Sequence, residues 1–237
     1  MVTYTPETYF NTAYDFSTRD LDGRSIADAL CALDRPGYWL DLGCGPTLVV
    51  WSTFLPSIER IVGADVQEEN LALVRRQIES KETFAPLLNA RRYLASQTLA
   101  HNRKASDKEV GPDQRNWDLT LHDINHLRPE WNDGFDVVSQ IGCFGCLSSL
   151  DELRAAAVKV NGYLKTTGRF LSVTWPQRIY DGVATWNGPV SHQLNADLIA
   201  DIYDQAGLSI LHVETGQTRD PAFDGIIVIT AGKGKER

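Results

Sequence analysis

A glycine-rich turn between an apolar run and a helical segment is the part of this chain best suited to chemistry. Residues 38–47 read YWLDLGCGPT, so the apolar run ends in an acidic residue and leads into Gly-Cys-Gly-Pro. Gly43 and Gly45 can adopt a positive φ and let a ligand approach the backbone closely. Pro46 suits the first turn of a helix, where its missing N–H costs nothing. The segment predicts a ligand site at a strand–turn–helix joint.

A second carboxylate follows about twenty residues later, the spacing at which an acid contacts a bound ribose. The segment IVGAD ends another apolar run with Asp65. Because neighbouring parallel strands end at the same edge of a sheet, we expect Asp65 to lie beside the glycine turn. A carboxylate there can accept hydrogen bonds from both ribose hydroxyls of a nucleoside. The turn and the acid together predict a nucleoside site.

The spacing of the glycines distinguishes between nucleoside cofactors. Dinucleotide-binding folds use G-x-G-x-x-G, in which the third glycine packs the helix on the strand. Leu48 occupies that third position here. The string D-x-G-x-G-P-T instead resembles the first motif of class I S-adenosylmethionine (SAM) methyltransferases. The structural alternative is an ordinary strand–turn–helix joint without a ligand.

The remainder of the chain alternates strand and helix patterns. Helices are predicted over residues 5–33 with a break near 18–22, and over 47–54, 68–80, 150–163 and 194–205. Strands are predicted over residues 38–42, 60–65, 117–121, 135–139, 169–174, 208–214 and 225–230, of which 117–121, 135–139 and 169–174 have the pattern of buried strands. This alternation predicts a parallel sheet, and the two strands in succession at the end predict an antiparallel hairpin at its edge. We expect a single domain over residues 1–237, with 1–35 as a helical lid and 81–115 as an insertion with an exposed loop.

Composition excludes several classes of partner. The net charge is −8 and no basic run occurs, so we expect no nucleic-acid partner. We expect no membrane partner, because no run of about eighteen uninterrupted apolar residues is present. The beginning of the chain lacks the pattern of a signal peptide, and the four cysteines do not form a disulfide framework, so a cytoplasmic location is expected. The sequence predicts no oligomeric state.

Two clusters could suggest other chemistry. Cys143 and Cys146 form a C-x-x-C pair, but the second pair that a zinc site needs is missing, and a place in a glycine-rich loop favours pocket lining. His122, Asp123 and His126 could be metal ligands, although the same segment is better explained by the resemblance described next. We expect no metal.

Four segments resemble the nicotinamide, phenylethanolamine and indolethylamine N-methyltransferase family. They are PETYFNTAYDF, LDLGCGPT, GADVQEENL and GIIVITAGK. The resemblance covers most of the chain and is weak over residues 81–115. It implies the class I SAM-methyltransferase (Rossmann-like) α/β fold, with a seven-stranded, mostly parallel sheet, an antiparallel C-terminal hairpin and an N-terminal helical lid. It implies SAM as cofactor and a small molecule as substrate.

The resemblance also implies where the methionyl part of SAM lies. Tyr9 and Tyr14 would cover it, as the N-terminal tyrosines of that family do. Gly43 and Gly45 would admit it beside the backbone, and Thr47 would offer a hydroxyl near its carboxylate. Plain helix packing is the alternative for the two tyrosines.

The adenosyl half is implied by a second group of positions. Asp65 would bind the ribose, Asp123 would accept a hydrogen bond from the adenine amine, and Ile124 would pack on the ring. The full group carried over is Asp65, Asn70, Asp123, Ile124, Gln140 and Ile141. The alternative for Asp123 is a turn or N-cap residue.

The acceptor site departs from the family. A carboxylate that fixes the acceptor amine follows the fifth strand in that family, but Trp175 occupies this position here. A shifted alignment would bring Asp181 into play. Otherwise the chamber is aromatic and lacks its amine anchor. The residues assigned to catalysis are Tyr9, Tyr14, Trp175 and Tyr180, with Thr174, Pro176 and Trp186 nearby.

Two enzymatic functions fit this pattern. In the favoured one, an amine or aromatic acceptor stacks on Trp175, Trp186 and Phe144 and receives the methyl group of SAM. In the alternative, the aromatic residues hold the sulfonium by cation–π attraction, and the α-amine of SAM displaces methylthioadenosine to give azetidine-2-carboxylate. Bacterial SAM cyclases of this kind resemble the same family in fold. A SAM-binding module without enzymatic activity is a third class, since fold does not establish function.

Overall fold

The structure, a computed structural model, describes residues 5–35, 37–80, 84–100, 115–178, 189–218 and 220–234, with only the backbone described at 98–100. Seven helices lie within these ranges: α1 (Pro6–Thr12), α2 (Leu21–Leu33), α3 (Leu48–Ser52), α4 (Glu68–Glu79), α5 (Ala85–Ala100), α6 (Leu150–Tyr163) and α7 (Ala196–Gln205). Seven strands accompany them: β1 (Gly37–Leu42), β2 (Ile58–Asp65), β3 (Asn116–Leu121), β4 (Phe135–Ile141), β5 (Leu164–Thr174), β6 (Leu208–Gly216) and β7 (Ile226–Lys233).

The strands form one mixed sheet in the order β3-β2-β1-β4-β5-β7-β6. The five strands from β3 to β5 are parallel, whereas β7 runs antiparallel to both β5 and β6. The predicted parallel sheet with a C-terminal antiparallel hairpin is thereby confirmed, with β7 inserted inside the sheet and β6 at its edge. Strand order reverses between β1 and β4, and such a switch point leaves a crevice at the carboxyl ends of the strands.

Helices cover both faces of the sheet and bury the side chains of its central strands on both sides. Successive residues of β1 point to opposite faces, so Trp39 packs in the core beneath α1 to α5 and Leu40 packs in the core beneath α6 and α7. Both side chains are fully buried. Strands with two apolar faces are typical of parallel sheets.

Residues 5–35 belong to the core as well as to the proposed lid. Phe10, Tyr14 and Phe16 are each less than 9% exposed and join the core on the α2 side of the sheet. Asp20 fixes the bend between α1 and α2, because its carboxylate accepts hydrogen bonds from the backbone N–H groups of Asp15 (2.8 Å) and Phe16 (2.7 Å) and caps α2. The N-terminal segment is thus held in place by packing on the sheet's own core.

The segment expected to be an insertion is partly integrated into the same core. Leu87, Ala90 and Tyr93 of α5 are buried, and the Tyr93 ring stacks on Phe16 with ring centroids 5.8 Å apart. Residues 101–114 of the expected exposed loop lie outside the described residues. The prediction that residues 117–121 form a buried strand is wrong, since β3 is the edge strand and is half-exposed along most of its length.

No helix within the described ranges is both long enough and apolar enough to cross a membrane.

Candidate functional site

The glycine turn and Asp65 meet at the carboxyl edge of the sheet, as predicted. Gly43 and Gly45 have φ values of 63° and 55°, in the left-handed region that favours glycine. The backbone N–H of Gly45 donates to Asp65 Oδ2 at 2.8 Å. Apart from its chain neighbours, no heavy atom of the described residues would lie within 4 Å of a Cβ added to Gly45. The geometry leaves room for a ligand beside the backbone.

Asp65 is held in a defined orientation. Its Oδ1 accepts hydrogen bonds from the Gln67 backbone N–H at 2.8 Å and from Asn70 Nδ2 at 3.3 Å. The residue is only 5% exposed. Because two carboxylate oxygens offer about four acceptor sites, Asp65 retains capacity for a ligand hydroxyl. Asn70 therefore orients this carboxylate, and the adenosine contact expected of it stays a prediction.

Asp123 and Ile124 follow β3 at the same edge. The backbone N–H of His122 donates to the Asp65 carbonyl at 2.8 Å, which extends the pairing of β2 and β3 to the residue before Asp123. Asp123 Oδ1 accepts from the Asn125 backbone N–H at 2.8 Å, so the carboxylate has the turn-forming role considered as its alternative, and its contact with adenine stays a prediction. Ile124 is buried, with 8% of its surface exposed.

The two N-terminal tyrosines approach each other near the glycine turn. Their hydroxyl oxygens are 3.5 Å apart, although 38% of the Tyr9 surface is exposed. The Tyr14 ring packs on Trp51 at 4.7 Å, and Trp51 Nε1 donates to Thr47 Oγ1 at 3.1 Å. Burial raises the pKa of both tyrosine hydroxyls, with a smaller contribution from the negative charge of Asp22. Both hydroxyls therefore stay protonated and can donate hydrogen bonds.

Gln140 forms buried hydrogen bonds beneath the candidate site. Its Nε2 donates to Ser172 Oγ at 2.7 Å and to the Val173 carbonyl at 2.9 Å, and its Oε1 accepts from the Phe144 backbone N–H at 2.9 Å. The side chain is fully buried. These bonds tie β4 to β5 and fix the 3-10 turn Cys143–Cys146, while the neighbouring Ile141 is partly buried.

Asp41 is a buried carboxyl group to which the sequence analysis gave no role. Ser139 Oγ donates to Asp41 Oδ1 at 2.5 Å and in turn accepts from Trp39 Nε1 at 2.7 Å. Oδ2 is buried without a hydrogen-bond partner among the described residues. Burial raises the pKa of Asp41 to about 7. The sequence motif shows an acidic residue at position 41, but its raised pKa results from tertiary packing, which the motif does not predict.

Trp175 lies at the mouth of the site beside a carboxylate from another element. Its Nε1 donates to Asp22 Oδ2 at 3.2 Å, and Thr218 Oγ1 donates to the same oxygen at 2.7 Å. A Cβ added to Gly142 would come within 3.3 Å of Trp175 Cζ3, so the indole rests against this glycine. The start of α2 therefore places a carboxylate beside Trp175, a contact that the sequence analysis did not predict.

Three of the residues named for the acceptor chamber, Tyr180, Asp181 and Trp186, lie outside the described residues. The 153-residue separation of Asp22 and Trp175 left no local sequence signal for their contact.

Cys143 and Cys146 line the turn that follows β4. The side chain of Cys143 packs so closely on Gly43 that a Cβ added there would lie 2.5 Å from its Sγ. Burial raises the pKa of both cysteines, so both stay as thiols. Among the described residues, no group of three or more His, Cys, Asp or Glu side chains could hold a metal ion.

The buried carboxyl of Asp41 predicts a pH-dependent stability. Its pKa is near 4 in the unfolded chain and about 7 in the folded one, so the folded state binds the proton more tightly and the free energy of unfolding falls as pH rises between these values. Asp41→Asn should therefore stabilise the protein relative to wild type by about 2–4 kcal/mol more at pH 8 than at pH 4.5. Urea unfolding at both pH values measures this difference. An equal effect of the substitution at both pH values would contradict the assignment.

Comparison with known proteins bears on the fold. No protein-family profile matches the chain, and no curated protein sequence matches it. The chain resembles the solved structure of the N-methyltransferase NodS from Bradyrhizobium japonicum WM9 in complex with S-adenosyl-L-homocysteine, at 13% identity over 95% of each chain with a TM-score of 0.59.

Two further solved structures of methyltransferases resemble the chain over most of its length. A SAM-dependent methyltransferase from Aquifex aeolicus matches at 13% identity over 98% of this chain and 100% of that chain, with a TM-score of 0.59. The 1,6-didemethyltoxoflavin-N1-methyltransferase of Burkholderia thailandensis matches at 16% identity over 97% of this chain and 85% of that chain, with a TM-score of 0.58. At such identities the likeness shows the fold alone: the chain has the Rossmann-like fold of SAM-dependent methyltransferases.

Proposed function

We propose that this protein is an enzyme that transfers the methyl group of SAM to a small-molecule acceptor. The observation that carries the proposal is the junction of Gly45 with Asp65, where an open glycine turn and an oriented carboxylate adjoin at the switch point of the sheet. Ligands of open α/β sheets bind at such a crevice. The fold supports SAM as the nucleoside bound there.

Each part of the cofactor has a complementary group in this crevice. Asp65, with Asn70 beside it, would accept the ribose hydroxyls, and the open face of Gly45 would admit the methionyl part. Asp123 and Ile124 would bind the adenine. Within the described part of the chain, Asp41 Oδ2 has no hydrogen-bond partner, which supports a ligand that brings positive charge, since SAM carries an ammonium group.

The chain's own residues would orient the reactants and exclude water. When bound, SAM supplies a methyl group that its positively charged sulfur has already activated. Transfer then requires chiefly an in-line approach in a dry pocket, which Tyr9, Tyr14 and Trp175 would enclose. The protonated hydroxyls of Tyr9 and Tyr14 would donate hydrogen bonds to the bound molecules and take no proton from them.

A nitrogen-containing acceptor is the substrate class that we propose. Two of the structurally similar proteins are described as N-methyltransferases, one of them acting on 1,6-didemethyltoxoflavin. The net charge of −8 disfavours nucleic acid as the acceptor.

Removing the ribose-binding carboxylate should weaken SAM binding. Asp65→Ala would delete one or two charge-assisted hydrogen bonds, each worth roughly 1.5–3 kcal/mol, so the affinity should fall at least about tenfold. Isothermal titration calorimetry with SAM measures it. Asp118→Ala on β3, which removes a half-exposed carboxylate paired with Arg60, is the control and should leave the affinity unchanged. Unchanged SAM affinity in a folded Asp65→Ala protein would refute the site.

Product analysis separates methyl transfer from cyclisation. We expect the protein to be inert with SAM alone and to form S-adenosylhomocysteine together with a methylated product when a suitable small amine is added. Liquid chromatography with mass spectrometry identifies both products. Methylthioadenosine released from SAM without any acceptor would instead support the azetidine-2-carboxylate reaction and contradict methyl transfer.

The covering role of the N-terminal tyrosines can be tested at Tyr9, which is half-exposed. Tyr9→Ala should lower the affinity for SAM or the turnover at least about tenfold while changing the melting temperature little, because lost enclosure costs positioning more than stability. Tyr38→Ala is a matched control. Tyr38 has nearly the same exposure as Tyr9, 40% against 38%, but it lies at the amino end of β1, away from the carboxyl ends of the strands where the site lies. Equal effects of the two substitutions on SAM binding and turnover would contradict the covering role.

A further inference from the structure

The side chain of Gln177 lies just beyond β5 and is almost completely buried, with 2% of its surface exposed. Its Oε1 accepts a hydrogen bond from Ser191 Oγ at 3.0 Å. Its Nε2 is shielded from solvent and has no hydrogen-bond partner among the described residues. Because buried polar groups in folded proteins are nearly always paired, this amide NH2, which can donate two hydrogen bonds, calls for an explanation.

The backbone around Gln177 is held from two sides. The Gln177 N–H donates to the Ser191 carbonyl at 3.1 Å, and Gln177 also forms a β-bridge with Phe223. The Asp224 N–H donates to the Pro176 carbonyl at 2.9 Å. The unpaired amide NH2 therefore belongs to an anchored segment, where its position is fixed by the fold.

We propose that Gln177 determines acceptor specificity by donating a hydrogen bond from its amide NH2 to an oxygen or an unprotonated ring nitrogen of the methyl acceptor. This inference rests on the proposed function and narrows its substrate class. The acceptor would carry, besides the nitrogen that receives the methyl group, a second atom that accepts a hydrogen bond, such as a carbonyl oxygen. The sequence analysis gave Gln177 no role.

The position of Gln177 supports this role. It lies two residues beyond Trp175, at the carboxyl end of β5. The turn Pro189–His192, to which Gln177 is hydrogen-bonded, packs against the turn Cys143–Cys146. The first residue of the latter turn packs directly on Gly43. Gln177 is therefore linked to both segments that border the place proposed for the methionyl part of SAM.

The chemistry of the surrounding groups favours an acceptor of this kind. Burial raises the pKa of Tyr9, Tyr14, Cys143 and Cys146, so their hydroxyl and thiol groups stay protonated. Together with the amide NH2 of Gln177, these groups supply hydrogen-bond donors without positive charge. An amine whose other atoms are all hydrocarbon would leave the buried Gln177 donor unpaired. Such a cost is what allows a polar site to reject analogues that lack the partner atom.

The hydrogen bond would orient the acceptor and take no part in making or breaking bonds. The lone pair of the acceptor nitrogen forms the new bond to the methyl carbon, and the electron pair of the broken carbon–sulfur bond returns to sulfur. Gln177 would hold a different atom of the same molecule, which restricts its rotation relative to the line of approach. Loss of the amide should therefore lower kcat/KM for acceptors that carry the second atom and change it little for the others.

Turnover of matched acceptors tests the inference. The protein and SAM are incubated with a panel of small amines arranged in pairs, each pair sharing one skeleton and differing in a carbonyl oxygen, such as meta-aminoacetophenone and meta-isopropylaniline. Formation of S-adenosylhomocysteine gives kcat/KM for each amine. The preference of the wild-type protein for the carbonyl member should fall at least about tenfold in Gln177→Met, whose side chain has similar length but no donor. Comparing the ratio between variants cancels the different intrinsic reactivities of the two amines.

A matched substitution nearby controls for changes outside the site. Gln193 follows the turn Pro189–His192 directly and its side chain is exposed, so Gln193→Met should leave the preference unchanged. Gln177→Leu supplies a second side chain without a donor if Gln177→Met does not fold. Circular dichroism verifies the fold of each variant.

The outcomes separate this inference from the proposed function. Methyl transfer by the wild-type protein without a preference for the carbonyl members, or a preference that persists in a folded Gln177 variant, would overturn the role of Gln177 and leave the proposed function intact. Absence of methyl transfer to every member of the panel would instead count against the proposed function, and the role of Gln177 would fall with it.

Discussion

The hydrogen bond from the Gly45 N–H to the Asp65 carboxylate is the interaction on which the candidate site depends. It ties the turn after β1 to the end of β2, so two neighbouring parallel strands present one surface to a ligand. In the same turn Gly45 adopts a positive φ, a conformation open to glycine but unfavourable for other residues. The other groups of the site are arranged around this junction by the order of the strands.

Two sets of contacts hold the carboxyl edge of the sheet in its observed conformation. Below the junction, fully buried polar side chains tie neighbouring strands together: Ser139 bridges Asp41 and Trp39, and Gln140 joins β4 to β5. Above it, the N-terminal segment places Tyr14, between α1 and α2, against Trp51, and Asp22 of α2 against Trp175. The first set lies within the sheet and holds β1, β4 and β5 in position beneath the site. The second set couples distant parts of the chain, so the enclosure of the site depends on how α1 and α2 pack.

The sequence predicted the part of this arrangement that is encoded locally. The turn around Gly43 and the acid at Asp65 could be located because glycine conformations and strand ends leave short patterns. The parallel sheet followed from the alternation of strands and helices. The edge position of β3 was missed, although residues 117–121 (WDLTL) alternate apolar and polar side chains, which is the pattern typical of a half-buried strand. The core role of α5 was also missed, because its polar surroundings in sequence hid the buried face that includes Tyr93. The contact of Asp22 with Trp175 depends wholly on tertiary packing.

A crystal structure with S-adenosylhomocysteine tests the central claim most directly. The account predicts that the ribose hydroxyls bind the Asp65 carboxylate, that the adenine lies beside Asp123 and Ile124, and that the thioether sulfur faces Trp175. Nucleoside density at another place on the protein, or no density at a saturating concentration of the ligand, would contradict the account.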